Sequence, residues 1–211
     1  MYLPRAFEET RAEVLHALMR AYPFATLIAV QDGVPLANHL PLEWVSEGMC
    51  LQGHVARGNA LATLDGAPVL VIFQGPQGYV SPNWYPRKHE TGREVPTWNY
   101  AVVHARGRLR VIEDAPWLRS LLVRLTDRHE AGEPMPWRLS DAPEDHIALL
   151  LRGVVGIEIA VDQLQGKFKL SQNHPVGNRA GVIAGLRRRA QGDDEALAAL
   201  MLAFEESRND A

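Results

Sequence analysis

Phe24 to Val30 (FATLIAV) is an apolar, β-branched run that ends in Gln31-Asp32-Gly33 and leads into a second extended run, Val34 to Val45. Asp-Gly between two such runs is hairpin chemistry, because a tight turn needs positive φ at its central positions. A hairpin this early commits the chain to antiparallel pairing. Pro35 and Pro41 lack the N–H a ladder needs, so they belong at an edge, a strand end or a bulge. Ser46-Glu47-Gly48 turns the chain into a further strand, Met49 to His54. Pro68 to Gln74 (PVLVIFQ) is apolar enough for a strand buried on both faces, and Gly75-Pro76-Gln77-Gly78 reads as a turn. Ala101 to Ile112 alternates, with Val103, Ala105, Leu109 and Val111 on one face and His104, Arg106, Arg108 and Arg110 on the other. Val154 to Val161 is a late return strand.

Helical spacing marks Phe7–Arg20, where Thr10 and Glu13 have capping-box spacing, and a short run through Leu64. It recurs from Pro116 to about Glu130, with Leu118, Leu121, Leu122 and Leu125 as the buried stripe. Pro143–Arg152 and Gly177–Ala190 follow, then a last helix with Leu197, Leu200, Met201 and Phe204 in register. Early hairpins and late helices point to an α+β fold: a barrel-like antiparallel sheet with flanking helices. With no linker or repeat, residues 1–211 read as one domain, with a helical C-terminal segment at about 175–208.

The function classes narrow by exclusion. A net charge of −3 lacks the basic footprint of a protein devoted to a phosphate backbone. Arg187-Arg188-Arg189 reads first as a solvated helix end and only second as a nucleic-acid patch. The one cysteine, Cys50, rules out an internal disulfide and reads as a buried thiol. No apolar run is long enough for a membrane span, and MYLPRAFEET lacks a signal-peptide core, so a cytoplasmic location is expected. Ser81 and Ser171 lack a nucleophile setting, and no Walker or Rossmann glycine pattern occurs. His39, His54 and His104 lack metal-ligand spacing, so no metal is expected and they read as core or hydrogen-bonding histidines.

Three clusters remain. Val80–Tyr100 (VSPNWYPRKHETGREVPTWNY) interleaves Trp84, Tyr85, Trp98 and Tyr100 with short polar residues around a charged loop. Such a stretch suits a flat heteroaromatic ligand, a second subunit, or simply aromatic plugs at two strand ends. Gly53–Asn59 (GHVARGN) ends a strand in His, Arg and Asn and opens a helical turn, which can hold a phosphate or be a solvated strand end. His39 would lie beside His54 if their strands pair as a hairpin. Lys169–Asn173 (KLSQN) offers an ammonium, a hydroxyl and amides that match a flavin's pyrimidine edge, or a capped loop. Arg106, Arg108 and Arg110 form a basic strand face, read as solvated or subunit-bridging before anion-binding.

Taken together, MYLPRAF at Met1, NHLPL at Asn38, GHVARGN at Gly53, VIFQGPQGYVSPNWYP at Val71, VPTWNY at Val95, GVVGIEI at Gly153 and KLSQN at Lys169 resemble the FMN-binding negative transcriptional regulator family of PaiB type. Ala60 and His174 stand where the family pattern often has proline and arginine. The resemblance implies a flavin split-barrel fold, FMN as cofactor and a homodimer with FMN sites along the subunit interface. It implies that His54, Val55, Ala56, Arg57 and Asn59 approach the phosphate. Asn38, His39 and Leu40 would follow the ribityl chain and ring, while Trp98, Asn99, Lys169 and Gln172 would complete the pocket or subunit contact. No catalytic residue is singled out. The implied role, negative transcriptional regulator, comes only with the family name, and a flavin-dependent oxidoreductase of NAD(P)H-reductase type and a haem-binding split barrel remain alternatives.

Overall fold

Asp32 and Gly33 take φ of 52° and 79°, so the QDG turn closes the first hairpin with both central residues left-handed. In this computed structural model, which describes residues 1–88 and 92–209, β2 (Phe24–Gln31) and β3 (Val34–Pro41) pair antiparallel from Phe24↔Pro41 to Gln31↔Val34. The other strands are β1 (Glu8–Glu9), β4 (Glu43–Val45), β5 (Cys50–Ala56), β6 (Pro68–Val80), β7 (Thr97–Ile112) and β8 (Val154–Lys169). Together they form an eight-stranded antiparallel sheet in the order β3-β2-β6-β7-β8-β5-β4, with β1 also paired to β8. The helices are α1 (Ala12–Ala21), α2 (Ala115–Glu130), α3 (Glu144–Arg152), α4 (Val176–Arg189) and α5 (Asp194–Asn209). His89, Glu90 and Thr91 of the charged loop lie outside the described residues.

The chain divides into two compact units, each described by itself. The first unit is formed by 1–18, 74–103 and 165–211. Its core joins Leu15, Leu18, Tyr85, Phe168, Leu186 and Met201. Tyr85 is buried and its ring stacks on His174, centroids 4.9 Å apart. Trp84 lies on α4 where Gly181 and Gly185 leave room, since a Cβ at Gly185 would overlap its indole. Half of the aromatic cluster is therefore core plug. In this unit the expected Gly75–Gly78 turn is overturned: β6 runs straight through to Val80. These glycines serve close packing instead. A Cβ at Gly75 would come 2.9 Å from Leu18, and one at Gly78 would come 3.1 Å from Leu197. The segment from Lys167 likewise continues β8 to Lys169, with Phe168 buried and β1 paired at Glu8↔Lys167.

The second unit is formed by 19–73 and 104–164. Asp114 caps α2 by accepting the Trp117 N–H at 2.7 Å, and Leu118, Leu121 and Leu125 are buried as their spacing predicts. Each such leucine contributes about 1.5–3 kcal/mol of burial. The run Val34–Val45 is not one strand. It breaks at Leu42, whose N–H donates to Pro23 O at 2.9 Å, and Pro41 ends β3. β3 is the last strand at its end of the order, which is where its two prolines are tolerated. Met49 takes a positive φ of 43°, so β5 begins one residue later, at Cys50. Under α2, Gln52 accepts from Arg124 at 2.7 Å and donates to Glu158 at 2.8 Å. Cys50 is buried beside them, and burial together with the Glu158 carboxylate pushes its thiol pKa up to about 11.

Candidate functional site

The predicted site residues fall into both units, and the second unit holds eight of them. Asn38 and Asn59 are brought together: the Asn59 amide donates to Asn38 Oδ1 at 2.9 Å. Asn59 also accepts the Leu61 N–H at 2.9 Å, capping the short turn Ala60–Thr63. The predicted helical opening after GHVARGN is thus present, and Asn59 ties it to β3. Leu40 and Val55 are buried core residues, while Ala56 is exposed at the end of β5. Arg57 is turned toward the start of β8. Its guanidinium donates to Arg152 O at 3.0 Å and Val154 O at 3.4 Å and pairs with Glu113 at 3.1 Å.

The hairpin that would set His39 beside His54 does not form. β3 pairs with β2, whereas β5 lies between β4 and β8, with His54 opposite Gly156. The break at Leu42 decides this, because it inserts β4 as the partner of β5. His39 is exposed instead, its Nδ1 3.1 Å from Thr26 Oγ1 and its ring 6.4 Å from Phe24. His54 shares the Gln52 face of β5. Its Nδ1 is buried without a partner, and burial lowers its pKa, so it is a neutral imidazole at pH 7.

In the first unit Asn99 is fully buried and exchanges hydrogen bonds with Ser171, 2.9 Å and 3.2 Å. Ser171 takes φ of 62°, and Gln172 closes the same turn by accepting from Leu170 N and donating to Phe168 O. The amides of Asn99 and Gln172 are therefore committed to holding KLSQN as a turn after β8. Two members of the set remain open. Trp98 is 48% exposed, its Nε1 donating to Gln77 at 2.5 Å and Tyr79 meeting it edge-on at 6.1 Å. Lys169 donates to Thr97 Oγ1 and to Trp98 O, which leaves one of its three N–H groups. Burial, then the neighbouring Lys167, lowers its pKa.

Beyond these, a cleft of about 340 Å³ opens in the second unit between Ile28, Val30, Leu70, Arg106, Arg108 and Asp162. The arginines are visible in the sequence as an alternating pattern but the cleft is not, since apolar residues of two other strands, β2 and β6, complete it. Among the described residues, no group of three His, Cys, Asp or Glu side chains is placed to hold a metal ion. No described helix is long and apolar enough to cross a membrane.

Residues 1–163 match the family model described as "Putative FMN-binding domain". The chain belongs to this FMN-binding family. It is 32% identical over 205 residues to the Bacillus subtilis "protease synthase and sporulation protein PAI 2", covering 95% of this chain and 96% of that one. Among solved structures it is similar to the FAD and heme binding protein of Mycobacterium smegmatis (TM-score 0.59, 24% identity, 77% of this chain and 73% of that one). It is equally similar in fold to the flavocytochrome Anf3 of Azotobacter vinelandii (TM-score 0.59, 18% identity, 79% and 72%). The fold is the flavin split barrel, and FMN is the cofactor of the family. The donor chemistry of the first unit suits it: the open indole face of Trp98 and a lysine, Lys169, with a spare N–H.

Proposed function

We propose that the protein is an FMN-binding homodimer with its flavin sites along the subunit interface, acting in the cytoplasm. The observation that carries this reading is the open face of Trp98, held in place by Gln77 and Tyr79 with the Lys169 ammonium at its carbonyl. A fixed, half-exposed indole offers a flat surface to a heteroaromatic ring. Bound FMN supplies one- and two-electron redox chemistry, and the protein's part is orientation and electrostatics.

The subunit contact is supported by an uncovered apolar sheet face. Phe24, Ile28 and Val30 of β2 point the same way as Leu70 and Ile72 of β6, with Ile28↔Leu70 and Thr26↔Ile72 directly opposed, and the cleft at Arg106 and Arg108 opens in this same face. A regulatory role through DNA has less support. Arg189 pairs with Asp194 and Arg187 lies 3.5 Å from Glu195, so two of the three clustered arginines have carboxylate partners. A flavin-dependent electron-transfer role needs no further residue than those above. Haem binding is a second reading, favoured by the buried, unpartnered Nδ1 atoms of His54 and His104. The absence of a Soret shift on haem titration removes it.

Trp98→Ala separates ligand contact from packing. Loss of one aromatic platform is expected to cost about 1–3 kcal/mol of flavin binding, the range for a base stacked on an aromatic side chain. Trp117 packs where a Cβ at Gly156 would overlap its ring, so Trp117→Ala is expected to lower the melting temperature and leave the flavin Kd near wild type. Equal effects of the two substitutions on Kd, or an unchanged Kd in Trp98→Ala, contradict the assignment.

A further inference from the structure

We infer that the cleft bounded by Arg106 and Arg108 is a phosphate-monoester site, built for an ester carried on a flat or apolar body with a neighbouring hydroxyl. The two arginines stand two residues apart on β7 and point to the same side, roughly 7 Å along the strand, so both guanidiniums can reach one phosphate group. Arg110, the third member of that face, pairs with Glu158 at 3.4 Å. Arg108 donates one N–H to Gly66 O at 3.1 Å, which orients it and leaves its other donors. Arg106 has neither an ion pair nor a hydrogen bond among the described residues.

Guanidiniums that serve only solubility need no cleft, and those that serve stability have carboxylate partners, as Arg57, Arg119, Arg124 and Arg189 do. Here two stand over an apolar floor of Ile28, Val30 and Leu70 with one carboxylate, Asp162, in the lining. Two cations against one anion leave the cleft net positive. The carboxylate of Asp162 is an acceptor for a hydroxyl, as a sugar or sugar-alcohol chain beside the phosphate would supply. The volume of about 340 Å³ lies within the range of small-ligand sites. Gly107 between the arginines lets β7 lie close to β8, because a Cβ there would overlap the Ala160 carbonyl.

Two ligands carry this chemistry: FMN itself, and a reduced nicotinamide dinucleotide with a 2′-phosphate. The first source rests on the FMN reading above, the second does not. Arg106→Gln is the cleanest variant, since that side chain has no intramolecular partner, and Arg106→Gln/Arg108→Gln is the stronger one. Binding of FMN against riboflavin, and of NADPH against NADH, is measured for wild type and both variants. The wild type is expected to prefer the phosphate-bearing member of at least one pair. The double variant is expected to lose roughly 10- to 100-fold of that preference, with the phosphate-free member binding as before. A loss confined to FMN assigns the cleft to the flavin phosphate; a loss confined to NADPH assigns it to an electron-donating co-substrate. If the wild type binds no flavin, the FMN reading fails and the nicotinamide pair still decides the cleft. No preference in either pair, or preferences that both variants keep, overturns the inference.

Discussion

Arg189→Met is expected to destabilise the protein by about 3–5 kcal/mol at pH 7, because it leaves a buried carboxylate without its counter-charge. Asp194, 2% exposed, receives two hydrogen bonds from the Arg189 guanidinium, at 2.7 Å and 2.5 Å, and a third from Gln191 N at 3.0 Å. The same guanidinium lies 4.9 Å from the Trp84 ring centroid, so the substitution also removes a packing contact between α4 and Trp84. The hydrogen bonds from Arg189 hold the Asp194 carboxyl below its ordinary pKa of 3.8. A group whose pKa is lower folded than unfolded stabilises above the unfolded value and loses that contribution as pH falls through the folded one. The deficit of Arg189→Met is therefore expected to be largest at neutral pH and to shrink below about pH 4. Chemical denaturation at pH 7 and pH 3.5 measures both; an equal deficit at the two pH values contradicts the account.

Gly107→Ala is the second substitution with a large expected effect. Its Cβ would occupy the space of the Ala160 carbonyl and come 2.9 Å from Ile159 Cγ2. The obstacle is backbone of the neighbouring strand, which cannot swing aside as a side-chain end would. The cost is expected to exceed about 3 kcal/mol, the upper end for overpacking. Gly58→Ala, where a Cβ meets nothing within 4 Å, is the control and is expected to stay near wild type. Thermal unfolding of the two variants side by side checks the contrast, and similar melting temperatures contradict it.

What was legible in the sequence follows from local rules. The hairpin at Asp32-Gly33, the alternation of β7 and the capped α2 each depend on residues within a few positions of one another, and all three are present. Gly75-Pro76-Gln77-Gly78 has turn composition, yet its glycines answer to Leu18 and Leu197, which are distant in sequence. The polar residues of KLSQN resemble ligand donors on paper, but Asn99, from a different strand, takes up Ser171. In GHVARGN, Arg57 has the composition of a phosphate partner at a strand end; the carbonyls of Arg152 and Val154 that orient it are nearly a hundred residues away in sequence. The Arg106–Arg108 cleft was out of reach for the same reason. Its arginines are visible as a pattern, but the floor that makes them a site comes from β2 and β6.

The most direct test of flavin binding by this chain is an FMN titration of the purified protein, followed by absorbance and flavin fluorescence with the mass in solution measured alongside. Saturable binding is expected, approaching about one FMN per chain in a species of twice the chain mass. A colourless protein that leaves the flavin spectrum unchanged at every concentration would contradict it.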